Sequence, residues 1–235
     1  MRISTTQLES FRLFIQPDNE WMTEASLIET LKGIFTPNDA ILLGLAWGSV
    51  LESPNQYAVD GGFRIVPRNG AVPVFFRQED VERACAAGVD HRIGVFEAKA
   101  VKRYGSVDVV SKADQITGAR LWEFKATTGT FDPEKYLASC QWRYMVDAFE
   151  PSLVTYLIFE WAMKSRNDQW VTNARGEWAP ELWDVHAMNC YPYPGLSSDC
   201  AALVRELQAF IQSRDLAWLF ERRQALSQGD LEWVA

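Results

Sequence analysis

In the stretch VSKADQITGARLWEFKATTG, residues 110–129, an aspartate, a glutamate and a lysine recur at spacings that could do chemistry: Asp114, Glu123 and Lys125. Thr117-Gly118 reads as the two-residue loop of a hairpin. That loop sets Ile116 opposite Ala119, Asp114 opposite Leu121 and Lys112 opposite Glu123. Asp114 and Glu123 are then diagonal neighbours on one face, close enough for both carboxylates to reach one ion. Lys125 continues that face, while Trp122 and Phe124 point to the other, because side chains alternate along a strand. Converging carboxylates are uncomfortable without a cation or proton between them. Oxygen ligands suit a hard cation such as Mg²⁺, and a lysine beside it can orient or help deprotonate a water. Together these parts describe metal-assisted phosphodiester hydrolysis. The plain alternative is a surface salt bridge on a hairpin.

The surrounding pattern has to hold that hairpin in place. Residues 4–33 carry apolar positions at helical spacing, divided near Pro17 and Asp18, and AILLGLAWGSVLESP gives another helix from Ala40 to about Pro54. GGFRIVPRNGAVP reads as loop or short irregular strand, and QEDVERACAAG as a short helix closed by Gly88. IGVFEAKAVKRYG, VDVVSKAD and TGARLWEFKAT alternate like strands. TFDPEKYLASCQWRYMVDAF reads as one helix, with Asp132 as its cap and Pro133 at its first position. SLVTYLIFEWAM and ELWDVHAMNCYP are strands around a polar hairpin loop, and one or two helices close the chain. Such an order predicts one α/β domain over 1–235, a mixed central sheet flanked by helices. Its parts are N-terminal helices over 1–55, a core over about 44–160 and a C-terminal strand and helices over 180–235.

Composition narrows the classes. The 235 residues are 48% hydrophobic and 23% charged, an ordinary globular balance. No apolar run is long enough for a membrane span and no signal peptide is read, so the expectation is a cytoplasmic protein. Cys85, Cys140, Cys190 and Cys200 are widely spaced, which predicts free, mostly buried thiols. A net charge of −8 argues against a general DNA-coating protein. Residues 91–145, however, hold nine Lys/Arg against six Asp/Glu, a local field compatible with a phosphate-containing substrate.

Asp114, eight residues and then Glu123-Phe124-Lys125 resemble the D-x(n)-(D/E)-x-K motif of the PD-(D/E)XK nuclease superfamily. Two further segments extend the likeness toward the RecB-like and lambda-type phage exonuclease branch. In GSVLE, Gly48 precedes Glu52 by four residues, as in that branch's first motif. In YLASCQWRYMVDAF, Gln141 matches the helical Gln that follows the E-x-K strand, whereas the Tyr expected four residues on is Met145 here, with Tyr144 one place early. The resemblance implies a restriction-endonuclease-like core and a Mg²⁺-dependent DNA exonuclease, with Mn²⁺ as a substitute. Glu52, Asp114, Glu123 and the Phe124 carbonyl would hold the metal, Lys125 would position or activate water, and Gln141, Tyr144 and Arg143 would meet the substrate. It also implies DNA, a single-strand-annealing or recombination partner and a homo-oligomer as partners, a phage origin in a bacterial host, and no membrane. No iron–sulfur cluster is expected, because no Cys precedes Glu52 and only Cys190 and Cys200 lie late.

Alternatives stand beside this reading. Glu97 and Lys99 form a second E-x-K on the preceding strand, and Asp108 has the parity of Asp114 but lies further from Glu123. His91 and His186 show no ligand or triad spacing and read as structural. A non-cleaving nucleic-acid-binding or regulatory protein on the same fold, or a structure-specific endonuclease, are the competing functions.

Overall fold

The computed structural model describes residues 1–220 apart from 21, 35–36, 69–70 and 165–168. In chain order its first half holds β1 (Arg2–Ser4), α1 (Thr5–Phe14), α2 (Glu24–Lys32), α3 (Asp39–Glu52), β2 (Val59–Asp60), β3 (Phe63–Arg68), β4 (Ala71–Arg77) and α4 (Gln78–Ala87). The second half holds β5 (Val95–Tyr104), β6 (Val107–Thr117), β7 (Arg120–Thr127), α5 (Pro133–Ala138), α6 (Gln141–Phe149), β8 (Leu153–Ala162), β9 (Glu181–Cys190) and α7 (Leu196–Ser213).

A mixed sheet runs β1-β6-β7-β8-β9, with β5 also paired to β6. β1 lies parallel to β6 and β7 parallel to β8, while the other pairings in this sheet are antiparallel. The parallel step from β7 to β8 requires a crossover, which α5 and α6 supply. One detail of β6 matters for the site. β5 pairs along its length, so β1 and β7 must share its opposite edge. β1 pairs as far as Val110 and β7 begins at Gln115, which leaves residues 111–114 of β6 without a strand partner on that edge.

Helices cover both faces. In β8, Tyr156 and Ile158 join a cluster with Leu8 and Phe11 of α1, Tyr144 and Met145 of α6, and Val204 and Leu207 of α7. Leu157, Phe159 and Trp161 alternate to a second cluster with Leu43, Trp47 and Val50 of α3, and Val81 of α4. A strand buried on both faces must be apolar at every position, and LVTYLIFEWA nearly is. Local signals start the helices: Ser4 and Gln7 form a capping box for α1, Asn38 caps α3, and Asp132 with Pro133 opens α5.

The expected order of elements is present, and the structure refines it. The Gly- and Pro-rich stretch after Gly61, read as loop or short irregular strand, is strand: β3 and β4 form a three-stranded sheet with β2. Their register shifts between Val66 and Arg68, and this irregularity accommodates Pro67. β1 had no separate sequence signal. The helix read over 130–149 is two helices, broken at Ser139 and Cys140. As expected, all four cysteines are free and most are buried, with Cys85 alone exposed. The end of the last expected helical stretch, beyond 220, lies outside the described residues. Among the described residues no helix is long and apolar enough to cross a membrane.

Candidate active site

The β6–β7 turn lies one residue later than the sequence suggested. Thr117 pairs with Arg120, Ile116 with Leu121 and Gln115 with Trp122, so the loop is Gly118-Ala119 rather than Thr117-Gly118. Gly118 takes φ +59°, as the first central residue of a type II′ turn requires. One more step in this register sets Asp114 directly across from Glu123 instead of diagonal to it. The backbones part at that point. Asp114 fills the gap by accepting the Phe124 N–H at Oδ2, 2.6 Å away. Beside it, Lys125 Nζ donates to Glu123 Oε1 at 2.5 Å.

A cleft of about 750 Å³ opens over this gap. Its floor carries Asp114, Glu123 and Lys125, α3 adds Gly48 and Glu52, α6 adds Gln141, and β5 adds Glu97. The break that starts α6 at Gln141 is held by a distant residue. Glu9 of α1 accepts the Cys140 N–H at 2.7 Å and the Ser139 hydroxyl at 3.2 Å, while Arg12 binds the same carboxylate at 2.6 Å. Burial raises the Glu9 pKa, but Arg12 and the Cys140 N–H more than offset it, and the carboxyl is held below its ordinary value. An ionised carboxylate at a helix N-terminus is electrostatically favoured, so Glu9 fixes where Gln141 enters the cleft.

Charge in the cleft is crowded. Burial, then the neighbouring Asp114, push the Glu123 carboxyl up to about 7 against the pull of Lys125. Burial likewise raises Asp114, where Lys125 and the Phe124 N–H pull the other way. Glu52 is raised by burial and by Glu97 and Asp114. Burial would lower Lys125, but Glu123 and Asp114 outweigh it, so its ammonium stays protonated. Glu123 is 6% exposed, and its Oε2 has no hydrogen-bond partner. A buried oxygen without a donor is costly and marks room for one more positive partner. Among the described residues no three His, Cys, Asp or Glu side chains cage a metal by themselves. The fit to a hard cation therefore rests on the paired Asp114 and Glu123, the orphaned Oε2 and the repulsion that a cation would relieve.

Of the residues singled out in the sequence, the cleft unites Glu52, Asp114, Glu123, Phe124, Lys125 and Gln141. It does not include Tyr144 or Arg143. Tyr144 is buried with its hydroxyl donating to the Cys200 carbonyl at 2.8 Å, and Arg143 lies over the Trp142 ring and reaches the Leu137 carbonyl. Asp108 is tied to Arg103 at 2.7 Å on the stretch of β6 that pairs with β1. The second E-x-K splits, with Glu97 in the cleft and Lys99 outside it. Lys112, which drew no role, also lines the cleft, ion-paired to Glu97. His91 bonds the Leu51 carbonyl and His186 bonds Glu160, which are structural contacts. The excess of basic residues over 91–145 is largely spent on local pairs with Asp90, Glu97, Asp108, Glu123 and Asp147. The cleft itself holds four carboxylates and two lysines.

No family model and no curated protein matches the chain. Among solved structures it is similar to the alkaline exonuclease LHK-Exo from Laribacter hongkongensis, at 12% identity and a TM-score of 0.44 over 97% of this chain and 94% of that one. LHK-Exo in complex with dAMP overlaps at 12% identity and 0.42, covering 96% and 94%. A third, SSO0001, gives 11% and 0.45, covering 89% and 75%. Overlaps this loose assign no role to any residue here.

Proposed function

We propose that the cleft is the active site of a divalent-metal-dependent DNA nuclease of PD-(D/E)XK type, an exonuclease, carried by one domain with its core over about 44–160. The observation that carries the reading is the parting of β6 and β7. It sets Asp114 and Glu123 side by side with Lys125, and it leaves Glu123 Oε2 buried without a partner. Asp114, Glu123 and Glu52 would hold the cation. The Phe124 carbonyl would join them, since a strand residue presents its N–H and C=O to the same edge. Such a cation polarises the phosphoryl oxygen and lowers the pKa of a water.

The chain's own groups do the rest. Lys125 stays an ammonium, so it orients the attacking water and screens the phosphate charge rather than accepting a proton. Gln141, fixed by the Glu9-held helix start, offers an amide that can donate to a phosphate oxygen and accept from the Lys125 ammonium. Phe124 and Trp122 are turned into the packing of α3 and keep the strand from moving. The exonuclease assignment rests on the order Glu52, Asp114, Glu123-x-Lys125 and Gln141, all lining one cleft.

The test is incubation of linear duplex DNA with the protein in Mg²⁺ or in excess EDTA, alongside Asp114→Asn. Digestion should need the metal and vanish in the variant, whose fold, read by circular dichroism, should persist. Full digestion in EDTA would overturn the metal mechanism.

A further inference from the structure

Glu97 is built in an unusual way. It takes φ +57° at the third residue of β5. The other two described non-glycine residues with positive φ, Glu150 and Asp215, follow helix ends, where the left-handed region is ordinary. Inside a strand it is a strained choice for a residue with a Cβ. The hairpin ladder skips at this point: Phe96 pairs with Gln115 and Ala98 with Ala113, and Glu97 stands across from Asp114 without pairing to it. The hairpin also changes face here, since Phe96 packs on the α3 cluster and Ala113 lies in the α6 cluster. A glycine would turn such a corner without strain.

What the glutamate adds is a carboxylate in the cleft. β6 lies between β5 and β7, so Asp114 is flanked by Glu97 on one side and Glu123 on the other. Glu97 lines the same cleft as Glu52, Asp114 and Glu123, and its charge acts on both Glu52 and Asp114. Lys112, beside it on the cleft wall, is its ion-pair partner. Within this cluster the Glu123 Oε2 is buried without a hydrogen-bond partner, which a positive ligand would supply.

We infer that Glu97 is a fourth carboxylate ligand for the divalent cation, and that Lys112 is the counter-ion the cation displaces from it. Its backbone strain is maintained by that use. The inference rests on the cleft binding a cation, as proposed above, and adds to it a ligand from β5 and a competing lysine.

Calorimetric titration of the full chain with Mn²⁺, without DNA, tests it. Glu97→Gln keeps the shape and removes the charge, and it should weaken Mn²⁺ binding tenfold or more. Lys112→Met removes the competitor and should tighten binding several-fold. Glu97→Gly should weaken binding while raising the urea unfolding midpoint, because glycine tolerates the backbone angle. Asp114→Asn serves as the control for the cation site itself. Wild-type affinity in Glu97→Gln beside lost affinity in Asp114→Asn would overturn the role of Glu97 and leave the metal site standing. Absence of Mn²⁺ binding by the wild type would overturn both. Should the Glu97 variants fail to fold, unchanged or weaker binding by Lys112→Met would overturn the exchange.

Discussion

Replacing Glu123 by Gln should change how stability depends on pH. The folded carboxyl has its pKa pushed from 4.5 to about 7 by burial and by Asp114. A raised carboxyl pKa means that the folded state holds its proton where the unfolded chain has lost it. Stability is therefore greatest below about pH 4.5 and falls as pH rises toward 7, then levels off. Between pH 5 and pH 8 this one group should cost roughly 2–3 kcal/mol, taking about 1.4 kcal/mol per pKa unit and the fraction already ionised at pH 5. Asp114 and Glu52 are raised as well, so the wild type carries a slope beyond this. The difference between variant and wild type isolates Glu123. Glu123→Gln also deprives Lys125 of its ion-pair partner, leaving Asp114 to hold its ammonium against burial. Urea unfolding followed by tryptophan fluorescence in EDTA at pH 5, 6, 7 and 8 measures both proteins. Wild type should lose roughly 2–3 kcal/mol more than Glu123→Gln across that range, and saturating Mg²⁺ should remove most of the difference. Equal slopes would mean that the Lys125 pair already outweighs burial at pH 5, and the reasoning about an uncompensated carboxylate would fail.

Lys125→Ala should lower kcat by about a hundredfold or more, as for a group acting in the transition state, while Lys99→Ala, outside the cleft, should change it little; single-turnover digestion of labelled duplex ranks them. Gly94→Ala should destabilise the fold by about 1–3 kcal/mol in urea unfolding. The new Cβ would sit 1.9 Å from Gln115 Nε2 and 2.5 Å from the Asp90 carbonyl, and the latter is backbone. Linear duplex should be digested faster than covalently closed circles, with activity falling steeply as salt rises; equal rates in matched time courses would replace the exonuclease by an endonuclease and leave the cleft chemistry intact.

The sheet and most helices were legible because their apolar periods are strong, as in β8 and α3. Glu52, Glu123, Lys125 and Gln141 were legible because their order along the chain survives folding. Less visible features depend on contacts between distant residues. The break before Gln141 exists because Glu9 accepts the Cys140 N–H, and no local pattern announces a partner 131 residues away. The turn slipped by one residue because Gly118 can serve either as the second residue of one loop or as the first of the next. β3 and β4 were left between loop and short irregular strand by Pro67 and Pro73, which an irregular ladder tolerates. Glu97 was read as half of a motif because nothing in FEAK signals a left-handed backbone.

The short strand β1 has a consequence for the order in which the protein assembles. β1 pairs on β6 with Asp108 to Val110, which are made more than a hundred residues after it. At ~5–20 residues per second, the wait is on the order of ten seconds. β1 bounds one end of the unpaired stretch of β6 where Asp114 sits, so that notch cannot exist during the wait. Nascent chains would then pass through a stage with sheet and helices forming but no competent cleft. Completion of the candidate cleft therefore waits on a contact between two segments more than a hundred residues apart.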